Sequence, residues 1–261
     1  MIKLIATDMD GTWLNDHQDY DHDLFAQEFK LMQEKGIVFV VASGNQHENL
    51  LSRFPKHADN IYFVAENGAL IAKGKEVLHT SPLDQRSFED IKQITAKYEY
   101  PSIVEGISSA YVRKSDRSNF LNEMYKYYAK IKTINNFNEV SEPVFKVNMS
   151  VPVEKTLSII DDLQKQYPEI KFTAGSADSI DMQPADMNKA KGLEYLSKML
   201  NINPSEMVAF GDSGNDVEML KYVGKGYVMS TGMEVVKDAA DQIIGKNNDS
   251  AVQKEILKLL N

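Results

Sequence analysis

Cysteine is absent from the 261-residue chain, which excludes disulfides, thiolate zinc sites and a cysteine nucleophile and fits a reducing compartment. No apolar run approaches the ~20 residues of a membrane-spanning helix. The stretch before Asp8 is too short for a signal segment, so a soluble cytoplasmic protein is expected. Basic residues are outnumbered, and a formal charge of −9 argues against a general nucleic-acid binder, which needs a cationic face for phosphates. A small anionic ligand remains compatible if a local lysine or a metal offsets the surrounding field. Internal repeats, low-complexity tracts and charge blocks are also missing, as are G-x-S-x-G, H-E-x-x-H and G-x-x-x-x-G-K-S/T. Nothing in the chain calls for a membrane or an obligate protein partner.

What is present reads as α/β at both ends of the chain. Leu4–Thr7 is strand-like, and residues 23–35 carry a helical stripe of Leu24, Phe25, Phe29, Leu31 and Met32 that Gly36 stops. The continuous apolar run from Ile37 to Ala42 marks a strand buried on both faces of a parallel sheet. A short helix is expected at 47–54, and Asn67-Gly68 predicts a hairpin between "IYFVA" and "ALIA". From Lys189 the rhythm returns: a helix over 189–200, an apolar run Met207–Phe210, a strand near Tyr227–Met229 and a closing helix over 250–260. The middle differs. Helical spacing at Phe88, Ile91, Ile94 and Tyr98 and at Leu157, Ile160 and Leu163 alternates with strand patterns such as "FKVNMSV". We therefore expect an α/β core in two parts, residues 1–81 and 184–261, interrupted by an α+β module over 82–183 with Pro82 and Pro184 as hinges.

Three polar clusters each directly follow an apolar run: Asp8-x-Asp10, Ser43-Gly44 and Gly211-Asp212. In an open parallel sheet, ligands bind beyond the carboxyl ends of the strands, so these distant segments are expected at one rim. The i, i+2 spacing of Asp8 and Asp10 brings two carboxylates to one face of an extended segment, and their repulsion needs a cation. An Asx turn is the plain alternative for this pair. A calcium loop is not, because its sixth position, here Trp13, must be glycine. A Mg²⁺ site fits, since a hard cation takes carboxylate and carbonyl oxygens, with Asp212 and Asp216 completing the cluster. For "GDSGND" a plain strand-to-helix loop stays open. Ser43 and Gly44 read either as a cap for the helix at His47 or as an anion site. Lys189 is either a solvated lysine or, because a lysine at a helix start opposes the dipole, one held there by a bound anion and carboxylates.

Taken together, "DMDGT" (8–12), "ASGN" (42–45), "ENGA" (66–69), Lys189 in "NKAKG" and "GDSGNDVEML" (211–220) resemble the haloacid dehalogenase-like phosphohydrolase superfamily, in particular its Cof-type sugar-phosphatase branch. Order and spacing match over essentially the whole chain. The resemblance implies a Rossmann-like doubly wound parallel-sheet core with an inserted α+β cap domain. It implies a Mg²⁺-dependent phosphatase of small phosphorylated metabolites, with sugar phosphates expected. Asp8 would be the nucleophile that becomes an aspartyl-phosphate, and Asp10 the acid and then the base. Mg²⁺ would be held by Asp8, the Asp10 backbone carbonyl and Asp212, with Asp216 supporting. Ser43, the backbone at Met9 and Gly44, Lys189 and Asn215 would hold phosphoryl oxygens. The chain departs from the family pattern at Trp13, where many relatives carry leucine, and at Asn45, where many carry arginine; both are expected to face the leaving group.

Other readings remain. A phosphosugar mutase shares the nucleophile chemistry but returns the phosphoryl group to a sugar. A phospho-accepting receiver domain also uses an Asp cluster, a hydroxyl and a lysine, although at half this length. A regulatory binder without catalysis is a further alternative. The acidic run "NDHQDYDHD" (15–23) reads as a solvated loop, and Tyr111, Arg113, Lys114, Arg117 and Lys146 are candidate cap contacts.

Overall fold

The computed structural model describes every residue except 117, 126, 127 and 129, so the candidate Arg117 lies outside the described residues. The chain forms two compact units, Met1–Thr80 with Asn188–Asn261, and Ser81–Met187. The junctions differ from the two prolines expected. Pro184 ends a strand opposite Ile170, where a missing N–H is tolerated, and the second junction falls after Met187.

The first unit begins with β1 (Leu4–Thr7), α1 (His22–Glu34), β2 (Val38–Ala42), α2 (His47–Arg53), β3 (Tyr62–Ala65), β4 (Leu70–Lys73) and β5 (Glu76–Thr80). The second holds α3 (Gln85–Tyr98), β6 (Ser102–Gly106), β7 (Ala110–Arg113), α4 (Ser118–Met124), β8 (Ile131–Ile134), β9 (Val144–Ser150), α5 (Thr156–Gln166), β10 (Ile170–Ser176) and β11 (Ser179–Pro184). The first unit resumes with α6 (Lys189–Leu200), β12 (Met207–Gly211), α7 (Val217–Tyr222), β13 (Lys225–Met229), α8 (Glu234–Lys237), β14 (Gln242–Ile244) and α9 (Ala251–Leu260). Among the described residues no helix is long and apolar enough to cross a membrane.

The first unit's sheet runs β14-β13-β12-β1-β2-β3-β4-β5. It is parallel as far as β3 and antiparallel at β4 and β5. Side chains alternate across it. Leu4, Ala6, Val40, Ala42 and Ala209 pack with Leu193 and Leu196 of α6, Met219 of α7 and Val236 of α8. On the other face Phe39 meets Phe25 and Phe29 of α1 and Phe54 just past α2. Helices on both faces of a mostly parallel sheet make the doubly wound core that was expected. Gly36, at φ 67°, takes the left-handed position that ends α1.

Trp13 belongs to this aromatic layer. It is 3 % exposed, with ring centroids 5.3 to 5.6 Å from those of Phe25, Phe39 and Tyr20. The expectation that it faces a leaving group is therefore corrected: the indole fills core volume, and aromatic pairs of this kind each add about 0.5–1.5 kcal/mol beyond buried area.

The second unit is a six-stranded sheet, β10-β11-β9-β6-β7-β8, antiparallel except between β7 and β8. Ile91 and Ile94 of α3 and Ile159 and Leu163 of α5 cover Val104, Val147, Met149 and Met182 on one face. Phe120 and Met124 of α4 cover Ile103, Ala110 and Val112 on the other. Arg113 is tied to Asp116 and to the Tyr100 carbonyl and lies over the Phe137 ring, which is a structural set of contacts. Tyr111 donates to Glu142, Lys114 to Asn135, and Lys146 pairs with Glu105 and Asp181.

Candidate active site

Strand order places the site. β1 lies between β12 and β2, so the connections leave it in opposite directions, and such a reversal opens a crevice at the carboxyl ends of the strands. The residues following these three strands are Asp8, Ser43 and Asp212. All three clusters expected at one rim are thus on adjacent strands, and the Asp8 N–H donates to the Phe210 carbonyl across β1 and β12 at 2.9 Å.

Lys189 organises the centre. It is fully buried, and its Nζ lies 2.6 Å from Asp8 Oδ1 and 2.7 Å from Asp216 Oδ1. It opens α6, capped by the Asn188 side chain; the solvated-lysine reading fails. Asp216 has no exposure, and its Oδ2 accepts the Asp212 and Ser213 N–H groups, each at 3.0 Å. Asp216 therefore locks the 211–216 loop as well as pairing with Lys189. Gly211 makes this possible, since a Cβ there would come within 2.6 Å of the Asp216 side chain. Asp212 accepts from Thr12 Oγ1 at 3.0 Å, and a side chain at Gly11 would come within 2.5 Å of its carboxylate.

One oxygen from each of Asp8, Asp212 and Asp216 lies within 4.8 Å of the others. Burial pushes the Asp8 carboxyl up to about 8, with Lys189 opposing and Asp216 and Asp212 adding to the rise. Burial raises Asp212 too, against the Thr12 hydrogen bond. Burial opposes the charge on Lys189, yet Asp216 and Asp8 outweigh it and hold the ammonium above its ordinary range. With all three ionised, as attack by Asp8 would require, one ammonium leaves the cluster short of positive charge, a repulsion that adds to burial in raising Asp8 and Asp212. The donors are all carboxylate oxygens, and a hard divalent cation such as Mg²⁺ fits both the deficit and the donor type. Among the described residues this is the one group with such spacing, and the 15–23 run contributes nothing to it. Residues 15–21 of that run form a loop in which Asn15 accepts from the His17 and Asp19 N–H groups and Asp16 exchanges hydrogen bonds with Asn248, while His22 and Asp23 open α1.

β1 ends at Thr7, so Asp10 stands in the turn that follows the strand and not in the strand itself. The Asp10 side chain is exposed and accepts from Asn45 Nδ2 at 2.7 Å. Its charge adds to the repulsion at Asp212, and the three carboxylates grouped at metal-binding spacing are Asp8, Asp212 and Asp216. Asn45, expected to face the leaving group, has Asp10 as its side-chain partner.

Ser43 is buried, and its Oγ accepts the Asn45 N–H at 3.1 Å. It does not cap α2, whose cap position is Gln46. Met9 turns its side chain into the core while its carbonyl accepts from Leu14 and Thr12. Asn215 is exposed, with Nδ2 3.1 Å from Asn67 Oδ1. Thr12 and Asn67 were missed as site residues. Both stand inside motifs already singled out, but a hydroxyl or an amide reveals its partner only when the chain is folded.

The family model described as haloacid dehalogenase-like hydrolase matches residues 5–256. The chain is 36 % identical to the 5-amino-6-(5-phospho-D-ribitylamino)uracil phosphatase YbjI of Escherichia coli, over 99 % of this chain and 96 % of that protein. The crystal structure of SMU.1108c from Streptococcus mutans superposes with a TM-score of 0.91 at 31 % identity, covering 100 % of this chain and 99 % of that one. The subclass IIB sugar phosphatase BT4131 shares the fold, with a TM-score of 0.83 at 22 % identity over 98 % of both chains.

Proposed function

The chain belongs to the haloacid dehalogenase-like hydrolases, and within that family we propose that it is a Mg²⁺-dependent phosphatase of small phosphorylated metabolites, sugar phosphates first. The observation that carries this reading is Lys189, fully buried and bridging Asp8 and Asp216 at 2.6 and 2.7 Å. A carboxylate attacks an anionic phosphate ester poorly unless positive charge cancels the repulsion, and phosphoryl transfer asks mainly for positioning and charge stabilisation.

Asp8 attacks phosphorus as the ester bond to the leaving oxygen breaks, and an aspartyl-phosphate forms on its carboxylate. This splits one difficult displacement into two easier ones. Asp10 gives a proton to the leaving oxygen and then takes one from the water that attacks the aspartyl-phosphate. Its exposed position and its hydrogen bond to Asn45 suit a group that must meet first an alcohol and then water. Lys189, Ser43, Asn215 and the backbone at Met9 and Gly44 hold the phosphoryl oxygens. Asp8, Asp212 and the Asp10 carbonyl would hold Mg²⁺, with Asp216 supporting, and bound Mg²⁺ would supply the remaining positive charge at Asp8 and the phosphoryl group. The Ser81–Met187 unit is read as the inserted cap domain.

The relative from Escherichia coli is named for a phosphorylated ribityl chain on a pyrimidine, so that ester stands beside hexose and pentose phosphates in a first substrate panel. The test is release of inorganic phosphate with and without Mg²⁺, for the wild type and Asp8→Asn. Turnover that needs Mg²⁺ and is lost in Asp8→Asn is expected. Conversion of a hexose 1-phosphate to its isomer without phosphate release would move the assignment to a mutase.

A further inference from the structure

The Glu66–Asn67–Gly68 turn between β3 and β4 is part of no step described above, yet its backbone is unusual. All three residues have positive φ, at 51°, 52° and 99°. Glycine takes such angles readily and asparagine tolerates them, but glutamate does so only at a cost of roughly 1–3 kcal/mol. Conformations of this kind persist where surrounding contacts over-determine them.

Those contacts reach three separate segments. The Glu66 and Asn67 N–H groups donate to the Asn45 and Ser43 carbonyls at 3.3 and 3.0 Å, which fixes the loop after β2. The Asn67 carboxamide lies over Gly44, where a Cβ would be 3.1 Å from Asn67 Oδ1. That same oxygen accepts from Asn215 Nδ2 at 3.1 Å, in the loop after β12. Gly68 meets the start of α6. A side chain there would collide with the Asn188 carbonyl, and a Cβ on Gly192 would sit 3.2 Å from the Gly68 Cα. Lys189 enters the site from that closely seated helix end.

Amide geometry gives the turn a chemical role. Asn215 Oδ1 accepts from Ser213 Oγ at 2.8 Å, while one N–H of its Nδ2 is directed to Asn67. An amide nitrogen has two N–H groups, so the second is left for an acceptor. Swapping the amide end for end would turn Oδ1 toward Asn67 Oδ1 and withdraw both donors.

We propose that Asn67 is a positioning residue of the phosphate site: its carboxamide fixes the orientation of Asn215, while its backbone N–H holds the Ser43–Gly44 loop, so that a phosphoryl group meets donors already in place. This rests on the phosphatase reading above. Pre-set donors act mainly on binding of the phosphoryl group, and loss of one hydrogen bond to an anion is worth roughly tenfold.

The experiment compares full-length wild type, Asn67→Gly, Asn215→Ala and the double variant, with Mg²⁺ present. It measures the inhibition constant of inorganic phosphate, KM and kcat for p-nitrophenyl phosphate, and Tm. Asn67→Gly keeps the backbone free to adopt positive φ and removes only the carboxamide. Its phosphate inhibition constant and KM are expected to rise about tenfold, and the double variant is expected to be no weaker than Asn215→Ala alone. Wild-type phosphate affinity in Asn67→Gly overturns the proposal, whatever its Tm. So does unchanged affinity in Asn215→Ala, which would leave Asn67 nothing to act through, and so do fully additive losses. An active wild type with any of these results sinks this inference alone; a wild type without Mg²⁺-dependent phosphate release removes the phosphatase reading with it.

Discussion

Two carboxyl groups of the first unit leave water completely or nearly so and end in opposite situations. Asp8 is 5 % exposed and Glu28 of α1 not at all. Burial is the leading cause of the rise in both, to about 8 for Asp8 and about 9 for Glu28. Asp8 faces a buried ammonium at 2.6 Å. No salt bridge reaches Glu28 among the described residues, and the Gln253 side chain of α9 is the group that opposes its rise. Desolvation alone therefore does not make a functional carboxylate. The Asp8 site adds a buried cation that favours the ionised form against Asp216 and Asp212, whereas Glu28 has only the Gln253 side chain to do so.

The strongest way to break this contrast is to make Asp8 resemble Glu28. Lys189→Met keeps an unbranched apolar stem and deletes the ammonium. Removing a group that stabilises charge in a reacting centre costs about 10²–10³ in kcat, and at least that loss is expected with Mg²⁺ present. Leaving Asp8 and Asp216 buried without their partner is also expected to lower stability by about 3–5 kcal/mol. Stopped-flow or endpoint phosphate release and urea unfolding check the two parts separately. Wild-type kcat in this variant would mean that the Lys189 charge plays no part in the reaction.

A smaller effect sharpens the same contrast. The Asp8, Asp212 and Asp216 cluster lacks positive charge, and the surroundings of Glu28 offer no ligand set. Mg²⁺ is therefore expected to raise the Tm of the wild type, corresponding to about 2.7 kcal/mol at a hundredfold excess over Kd. The rise is expected to be lost in Asp212→Asn and kept in Glu28→Met. An equal rise in wild type and Asp212→Asn would place the cation elsewhere.

The contrast also marks what could be read from the sequence. The rim was legible because apolar runs ending in Asp8, Ser43 and Gly211-Asp212 needed only strand order to bring them together. The 189–200 helix and the closing helix were legible from caps and periodicity. The partner of Lys189 was half legible: a lysine at a helix start asks for negative charge, but nothing in "NKAKG" says that Asp216 would be one source. The turn after Thr7 was not, and nothing in D-x-D says that Asp10 would accept from Asn45. Trp13 was misread because a difference from relatives was taken as a difference at the substrate, whereas the indole fills space among Phe25, Phe39 and Tyr20. Glu28 stands one position before Phe29 within the apolar stripe of α1, and polarity alone hid it from the core.

The last effect expected, one of stability, tests Glu28 itself. Its folded-state value lies near 9, against 4.5 for the ordinary group. Between those values the folded protein holds a proton that the unfolded chain has released, so the stability linked to that proton is complete below pH 4.5 and is lost as pH rises toward 9. Glu28→Met replaces the carboxyl with an apolar chain of similar length. At pH 5 the two proteins are expected to be close in stability. At pH 8 the variant is expected to be more stable by up to about 4 kcal/mol, since each pH unit between the two values is worth about 1.4 kcal/mol. Urea midpoints at pH 5, 7 and 8 measure this directly, and the gap is expected to widen steadily. A gap that does not change with pH would mean that α1 and α9 accommodate the ionised carboxylate, and the difference between the two buried carboxyls would then lie only in what faces them and not in whether they ionise.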